Sequence, residues 1–158
     1  MKVSMQQCVV RTCNAGETEQ LGEQIGARLR GGEVIELCSD LGGGKTTFVR
    51  GLARGFGSSD RVSSPTFTIS QIYHAGERSL HHFDFYRLNE PGIMADELAE
   101  IMSDPQATAV IEWGDIVQNV LPAERLSLTI TAVDESTRQI VVACPDTLAY
   151  LLPTEVQA

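Results

Sequence analysis

A short glycine-rich stretch around one lysine is the part of this sequence best suited to chemistry. Residues 40–47 read Asp-Leu-Gly-Gly-Gly-Lys-Thr-Thr. Because glycine lacks a Cβ atom, the backbone N–H groups of Gly42 to Gly44 can turn towards one point and bind phosphate oxygens. Lys45 can reach the β- and γ-phosphates of a nucleotide as a point charge, and Thr46 can offer its hydroxyl to Mg²⁺. The spacing therefore predicts a P-loop that binds a nucleoside triphosphate.

One position departs from the general P-loop pattern. G-x-x-x-x-G-K-[ST] places a glycine at position 39, where this chain has Ser39. A small residue is compatible with the turn that leaves the strand if its φ stays negative, whereas Gly44 comes closer to the phosphates. Since an apolar run precedes the loop and a helical pattern follows it, we interpret it as a P-loop rather than an ordinary glycine turn.

Two carboxylates further along the chain could complete the site. Asp84 lies in a predicted strand, and Glu112 ends an apolar run. A carboxylate at a neighbouring strand end can hold Mg²⁺ or its water, although each residue could equally be an ordinary polar group at a strand edge. His81 and His82 should point to opposite faces of their strand, so we expect them to pack or face solvent rather than share a metal.

The segment Ser63-Ser64-Pro65-Thr66-Phe67 lies between the loop and the first acid. In P-loop proteins the segment after the first helix often senses the γ-phosphate. Pro65 stiffens this piece, and Ser64 and Thr66 supply hydroxyls. A γ-phosphate sensor and a plain turn into a strand both remain open.

Hydrophobic periodicity indicates the elements that must position these residues. The near-continuous apolar run Val34 to Cys38 is typical of a buried parallel strand. Phe48 to Phe56 follows helical spacing and should end at Gly57, and an earlier helix is predicted around residues 21–29, with Asn14 at its start. Further predicted elements are strands at 9–10, 67–73, 79–87, 107–113, 125–132 and 139–143 and short helices at 95–102 and 146–152. The pattern predicts a mixed α/β sheet in which parallel strands carry the P-loop and antiparallel hairpins are attached.

Composition and charge narrow the class of protein. The 158 residues are close to one domain, so we expect a single P-loop ATPase domain over 1–158. A net charge of −9 disfavours direct, strong binding to nucleic acid. No apolar run approaches the roughly 20 residues of a membrane span, and the start has no signal-peptide core. The four scattered cysteines show no metal-binding spacing, which favours a reducing, cytoplasmic location.

Four motifs together resemble the TsaE family, the small bacterial ATPases of the tRNA threonylcarbamoyladenosine pathway. They are residues 40–47, 64–67, 82–88 and 111–113, which occur in the order and spacing of that family. The resemblance covers roughly residues 9 to 145. It implies a P-loop NTPase-like three-layer α/β sandwich, with a mostly parallel central sheet and antiparallel hairpin additions.

The resemblance also implies an activity and a partner. A TsaE-like protein hydrolyses ATP slowly with Mg²⁺ and does not itself modify tRNA. It serves a heterodimer of the TsaB and TsaD type, which attaches threonylcarbamoyl to adenosine 37 of tRNA, and permits its repeated turnover. No membrane partner is implied.

Carried over by motif, the resemblance assigns roles to individual residues. Asp84 and Lys45 would be catalytic, Thr46 and Glu112 would bind Mg²⁺, and Trp113 would pack beside the site. The ATP-binding residues would be Asp40, Leu41, Gly42, Gly43, Gly44, Lys45, Thr46 and Thr47. The family's N-terminal segment helps to close the adenine pocket, which corresponds here to Ala15 to Thr18.

Two positions differ from the family, and two other functions compete with this one. The family has Gly where this chain has Ser39 and usually Ala where it has Gly43. Ser39 bears on loop geometry and nucleotide affinity, whereas Gly43 only loosens the empty loop. A small-molecule kinase could use the same P-loop, although no arginine-dense lid is evident. A nucleotide-gated adaptor without hydrolysis is the other alternative.

Overall fold

One seven-stranded sheet runs through the computed structural model, which describes residues 4–40, 44–65 and 67–153. The strands are β1 (Met5–Thr12), β2 (Val34–Ser39), β3 (Ser70–Ala75), β4 (Arg78–Asp84), β5 (Ala107–Glu112), β6 (Leu126–Ala132) and β7 (Arg138–Pro145). The α-helices are α1 (Ala15–Arg28), α2 (Lys45–Phe56) and α3 (Ile93–Met102). Two 3₁₀ helices follow β5 and β7, at Gly114–Val117 and Asp146–Leu151.

The order of the strands confirms the predicted mixed sheet. Across the sheet they run β1-β7-β6-β2-β5-β4-β3. At the centre, β2 lies parallel to both β5 and β6, and β5 lies parallel to β4. The predicted hairpins form the two sides, since β3 pairs antiparallel with β4 and β7 pairs antiparallel with β6 and β1. The P-loop strand therefore occupies the middle of the sheet.

Helices cover both faces of the sheet and give it three layers. On one face, α1 and α2 bury large apolar side chains, including Leu21, Ile25, Phe48 and Phe56, against β2 and its neighbours. The opposite face has a smaller core, in which Leu98 of α3 packs with residues of β4, β5 and the turn after β5. The alternation of strand side chains between these two cores is what a sheet buried on both faces requires. The three-layer architecture expected from the sequence is confirmed.

A row of four glycines brings α1 and α2 into backbone contact. Gly22 and Gly26 of α1 face Gly51 and Gly55 of α2, and we call these four residues the glycine seam. A Cβ atom added at any of them would lie 1.9 to 2.2 Å from a backbone carbonyl oxygen of the other helix. No carbon atom can approach an oxygen so closely, so only glycine permits this packing. The spacing of four residues in both helices was a signal that the sequence analysis overlooked.

The predicted start of α1 is confirmed by its cap. The Asn14 side chain accepts a hydrogen bond from the backbone N–H of Glu17 at 2.9 Å. In return, the Glu17 carboxylate accepts from the backbone N–H of Cys13 at 2.8 Å. The first bond satisfies a backbone donor that the first turn of a helix leaves unpaired, and the second fixes the chain just before the cap.

Removing this cap should have a small and measurable effect. Asn14→Ala is expected to lower the free energy of unfolding by about 1 kcal/mol, because the N–H of Glu17 loses its acceptor. Urea denaturation followed by circular dichroism measures the change. Asn119→Ala, at an exposed turn position, is the matched control and should leave stability almost unchanged. An equal loss in the two variants would contradict the capping role.

Several predicted strand boundaries were wrong, and three of them have a local reason. The strand predicted from residue 67 begins at Ser70, because the N–H groups of residues 68 and 69 both bond to the carbonyl of Pro65 in a turn. The strand predicted to residue 87 ends at Asp84, whose carboxylate accepts from the N–H of Tyr86 at 2.9 Å. The strand predicted to 113 ends one residue earlier, because Trp113 has a left-handed backbone with φ 57°.

Candidate functional site

The carboxyl ends of three parallel strands gather the predicted site residues at one edge of the sheet. β2 leads into the glycine loop, β5 ends in Glu112 and β4 ends in Asp84. Glu112 pairs in register with Leu37 on one side and with Asp84 on the other. The two acids therefore lie next to the loop, as the sequence analysis expected. This edge is where α/β proteins generally bind their ligands.

The P-loop residues occupy the turn between β2 and α2. Asp40 follows β2 directly, and Gly44 precedes α2 with a left-handed backbone, φ 102°. Lys45, Thr46 and Thr47 form the first turn of α2, so their N–H groups lie at the positive end of the helix dipole. The remaining predicted ATP contacts, Leu41, Gly42 and Gly43, lie outside the described residues, as does Thr66 of the possible sensor.

The side chain of Lys45 is held over the end of β2, the strand that precedes its helix. Its Nζ donates to the backbone carbonyls of Ser39 and Asp40, both at 3.3 Å. The same nitrogen lies 4.0 Å from Oε1 of Glu112 and 5.1 Å from the centre of the Trp113 ring. The side chain is only 8% exposed. A buried ammonium with these partners is a preorganised positive charge at the mouth of the loop.

Asp84 is fixed by the turn that follows it. Its carboxylate is buried, and Oδ1 accepts from the N–H of Tyr86 at 2.9 Å. The Tyr86 ring packs against Trp113 with 4.9 Å between the ring centres. Trp113 therefore packs beside the site, in agreement with the expectation. Its Nε1–H is buried and has no hydrogen-bond partner in the described part of the chain.

Sequence reasoning missed the partner of Glu112. His82 is completely buried and its Nε2 contacts Oε2 of Glu112, whereas the sequence analysis expected a packing or surface residue. On the other side of the ring, Nδ1 lies 3.3 Å from the hydroxyl of Tyr73. Tyr73 in turn donates to the carbonyl of Ser63 at 3.1 Å. The alternation of His82 with Asp84 along β4 was the signal that both side chains share one face.

His81 behaves as the sequence analysis expected of a packing residue. It lies on the opposite face of β4, is partly buried, and bonds through Nε2 to the Ser79 hydroxyl at 2.9 Å. Burial lowers the pKa of His81, which favours its neutral form. The two adjacent histidines therefore do not converge on one metal.

A depression lies beside the start of α2, between α1 and the turn before β7. Its cavity of about 220 Å³ is lined by Asn14, Ala15, Thr18, Gly44, Thr47, Glu135, Ser136 and Arg138. The start of α1, where the family resemblance places the adenine pocket, forms one wall. The opposite wall comes from the turn between β6 and β7, which the sequence analysis did not connect with the site. Arg138 lies nearest the loop, with Nε 3.8 Å from where a Cβ of Gly44 would be.

The side chains at the strand edge suit Mg²⁺ better than a metal enclosed by protein ligands. In residues 4–40, 44–65 and 67–153, no three His, Cys, Asp or Glu side chains form a group that could hold a metal. Mg²⁺ typically uses one or two protein oxygens and takes its other ligands from phosphate and water. The Glu112 carboxylate and the Thr46 hydroxyl are oxygen donors of this kind. The donor set therefore fits Mg²⁺ that arrives with a nucleotide.

Within the ranges that the structure describes, the helices are too short and too polar to cross a lipid bilayer.

A central strand, a glycine loop and a helix that begins at a buried lysine, flanked by two strands that end in carboxylates, define a P-loop nucleotide-binding domain. The comparison with known families agrees. The model of the family described as "Threonylcarbamoyl adenosine biosynthesis protein TsaE" matches residues 12–140. This chain belongs to the TsaE family.

Individual relatives show the same likeness. The tRNA threonylcarbamoyladenosine biosynthesis protein TsaE of Bacillus subtilis is 37% identical over 140 residues, which cover 86% of this chain and 85% of that protein. The protein of the same name from Treponema pallidum is 37% identical over 136 residues, covering 86% of this chain and 98% of the relative. The crystal structure of Bacillus subtilis YdiB superposes with a TM-score of 0.75 at 32% identity, over 92% of this chain and 90% of that one.

Proposed function

We propose that this protein is the Mg²⁺-dependent ATPase that supports threonylcarbamoyladenosine modification of adenosine 37 in tRNA. Membership of the TsaE family supports the pathway. One observation carries the ATPase activity: the ammonium of Lys45 and the carboxylates of Glu112 and Asp84 meet at the carboxyl ends of three adjacent parallel strands. A phosphate-binding cation, a metal-binding acid and a catalytic acid are the groups that phosphoryl transfer to water needs.

In this proposal the loop and the first turn of α2 bind the phosphates. The backbone N–H groups of Lys45 to Thr47 at the start of α2 would donate to phosphate oxygens, and the helix dipole favours the negative charge. Lys45 exchanges the carbonyls of Ser39 and Asp40 for β- and γ-phosphate oxygens, which are stronger acceptors. Thr46 and Glu112 would hold Mg²⁺ through their side-chain oxygens. When bound, the metal neutralises charge that develops on the phosphates.

Asp84 is the catalytic carboxylate of the proposal. The bond from the N–H of Tyr86 fixes the plane of its carboxylate, so the group can orient a water molecule and accept its proton. The rings of Tyr86 and Trp113, which pack at an angle of 51°, cover this side of the site. Exclusion of bulk water strengthens the electrostatic interactions of Lys45 and the acids with a reacting phosphate.

In this proposal the adenine base of ATP binds between α1 and the turn before β7. The cavity there begins at Gly44 and Thr47, so it is continuous with the phosphate loop. Its walls combine small residues, Ala15 and Ser136, with the charged Arg138. A flat base can fit between such walls and stack on the face of the Arg138 guanidinium, whose Nη1 donates to backbone carbonyls of the turn before β7.

The tRNA-modifying step itself belongs to a partner in this proposal. The net charge of −9 opposes binding of the tRNA backbone, so a heterodimer of the TsaB and TsaD type would hold the tRNA. ATP hydrolysis by this chain would then permit repeated turnover of the heterodimer. The relatives at 37% identity are named for the same biosynthetic pathway, which supports this assignment.

The positions of the arginines argue against the kinase alternative. Arg50 and Arg54 of α2 are half exposed and pair with acids of α1, at 3.7 Å to Glu19 and 3.0 Å to Glu23. These arginines therefore join the two helices and do not point to the phosphates. A kinase lid would instead direct several arginines to the transferred group.

The proposal is tested with Asp84→Ala. The variant should bind ATP and the heterodimer with nearly normal affinity but hydrolyse ATP about 100-fold or more slowly, because the attacking water loses its acceptor. Cells that carry only this variant should lack threonylcarbamoyladenosine, measured by mass spectrometry of tRNA nucleosides. Asp96→Ala, which removes an exposed aspartate of α3, is the control.

Two outcomes would contradict the proposal. Normal amounts of the modified nucleoside in Asp84→Ala cells would favour the adaptor, in which ATP only selects a docking conformation. A phosphorylated small molecule, instead of free phosphate, as the product of the wild-type protein would favour the kinase.

A further inference from the structure

We propose that His82 is a positioning residue that fixes the carboxylate of Glu112 for Mg²⁺. The inference rests on the proposed function, because the metal concerned is the one that accompanies ATP. It assigns a task to a buried polar side chain that touches neither the nucleotide nor the reacting atoms.

The geometry of the pair supports this role. His82 and Glu112 lie on neighbouring parallel strands and point to the same face of the sheet, with Asp84 in register with Glu112. Both side chains are almost completely buried, at 0% and 3% exposed. Nε2 of His82 contacts Oε2 of Glu112, which leaves Oε1 directed at the Lys45 ammonium, 4.0 Å away. The histidine thus determines which carboxylate oxygen faces the phosphate loop.

Tyr73 fixes the imidazole from the other side. A carboxylate can only accept, so Nε2 of His82 is the nitrogen that carries the proton towards Glu112. The Tyr73 hydroxyl lies 3.3 Å from Nδ1 and 3.1 Å from the carbonyl of Ser63. Burial raises the pKa of Tyr73, so the phenol keeps its proton. Whether that proton points to Ser63 or to Nδ1, His82 still donates from Nε2 to Glu112.

This arrangement resembles the way proteins orient the ligands of bound metals. A ligating side chain is usually held by a second hydrogen bond, and removal of that partner typically costs about 10- to 100-fold in metal affinity. A buried glutamate without a donor on Oε2 would be free to turn both oxygens towards Lys45. A purely structural role for His82 would instead change folding stability and leave the metal dependence of ATP binding unaltered.

A pair of conservative variants separates these roles. In His82→Gln the side-chain amide can place an N–H near the position of Nε2, whereas in His82→Asn the amide reaches only the position of Nδ1. ATP binding is measured with Mg²⁺ and with EDTA from the fluorescence of Trp113, the one tryptophan of the chain. His81→Asn, the same substitution on the opposite face of β4, is the matched control.

The positioning role predicts a specific pattern of ATP affinities among these variants. The ratio of ATP affinity with Mg²⁺ to that with EDTA should fall about tenfold or more in His82→Asn, and stay within about threefold of the wild type in His82→Gln and His81→Asn. An unchanged ratio in His82→Asn, or equal losses in the two His82 variants, would overturn the inference. A wild-type protein that fails to bind ATP would instead refute the proposed function before any variant is compared.

The wild-type protein offers a second test that does not depend on whether the variants fold. Nitrogen-15 NMR of the histidine rings reports the hydrogen bond at each ring nitrogen. Addition of Mg²⁺ to the ATP complex should shift the Nε2 resonance of His82, since its acceptor becomes a metal ligand, and leave that of His81 in place. An unshifted His82 resonance would overturn the inference.

Discussion

Replacement of Lys45 by methionine should weaken ATP binding by about 100-fold, or about 2.7 kcal/mol. Methionine keeps most of the length and apolar contacts of the side chain and removes only the charged end. The lost group is an ammonium, 8% exposed, that the structure holds 4.0 Å from the Glu112 carboxylate. Its energetic contribution should be large, because a charge-assisted hydrogen bond to phosphate in a water-poor site is stronger than one in bulk water.

Isothermal titration calorimetry with Mg²⁺ and ATP measures this effect. Arg54→Met removes a cation from the exposed face of the same helix and should leave the dissociation constant unchanged within about twofold. ATP hydrolysis should fall together with binding, since Lys45 contacts both the β- and γ-phosphates in the proposed site. Wild-type affinity in a folded Lys45→Met protein would show that the loop is not the phosphate site.

Addition of one methyl group in the glycine seam should have the largest effect on stability. In Gly51→Ala the new Cβ would lie 1.9 Å from the carbonyl oxygen of Glu19. Relief of that clash requires the two helices to separate, which would open gaps in the core beneath them. We expect the free energy of unfolding to fall by at least about 3 kcal/mol, at the upper end of the usual cost of overpacking.

Urea denaturation gives this change from the shift of the midpoint at an unaltered slope. The neighbouring substitution Arg50→Ala, on the exposed side of α2, should change stability by no more than about 0.5 kcal/mol. A normal midpoint for Gly51→Ala would mean that the helix backbones are not in contact. Because alanine favours helix more than glycine does, intrinsic propensity acts in the opposite direction and cannot account for a loss.

The parts of the structure that could be predicted are those determined by local sequence. The loop with Lys45, the buried strand before it and the helix after it follow one another directly in the chain. Glu112 was recognisable because it ends a hydrophobic run. That Glu112 and Asp84 lie side by side depends on the parallel pairing of β4 with β5, which the family resemblance supported and the spacing alone did not.

The features that were missed depend on long-range geometry. His82 and Glu112 are 30 residues apart, and nothing in the composition of either segment shows that they make contact. The glycine seam requires the relative register of two helices, which periodicity within each helix does not give. The wall of the cavity that includes Arg138 comes from the turn between β6 and β7, which is distant in sequence from the glycine-rich loop. Each of these contacts is decided by how elements pair after they form.

The strand ends were also beyond prediction, for a different reason. Trp113 has β-propensity, but its backbone adopts a left-handed conformation that local preference disfavours. Asp84 ends its strand because its own side chain bonds to the chain two residues later. Both departures from regular structure fall at the candidate site, where local sequence rules are most often overridden.

The backbone contact between α1 and α2 also has a mechanical meaning. Two helices whose main-chain atoms are already in contact have no room to approach further, so we expect them to keep their relative position when a ligand binds. In the proposed function, the start of α2 binds the phosphates and the start of α1 lies beside the adenine base. A bound nucleotide therefore does not draw the two helices together. We expect any motion that reports the γ-phosphate to come from the opposite side of the site, where Tyr73 links the carbonyl of Ser63 to the ring of the buried His82. If the proposed function holds, ATP would therefore bind to a pair of helices that is already in place, and the segment at Ser63 would respond to the state of the nucleotide.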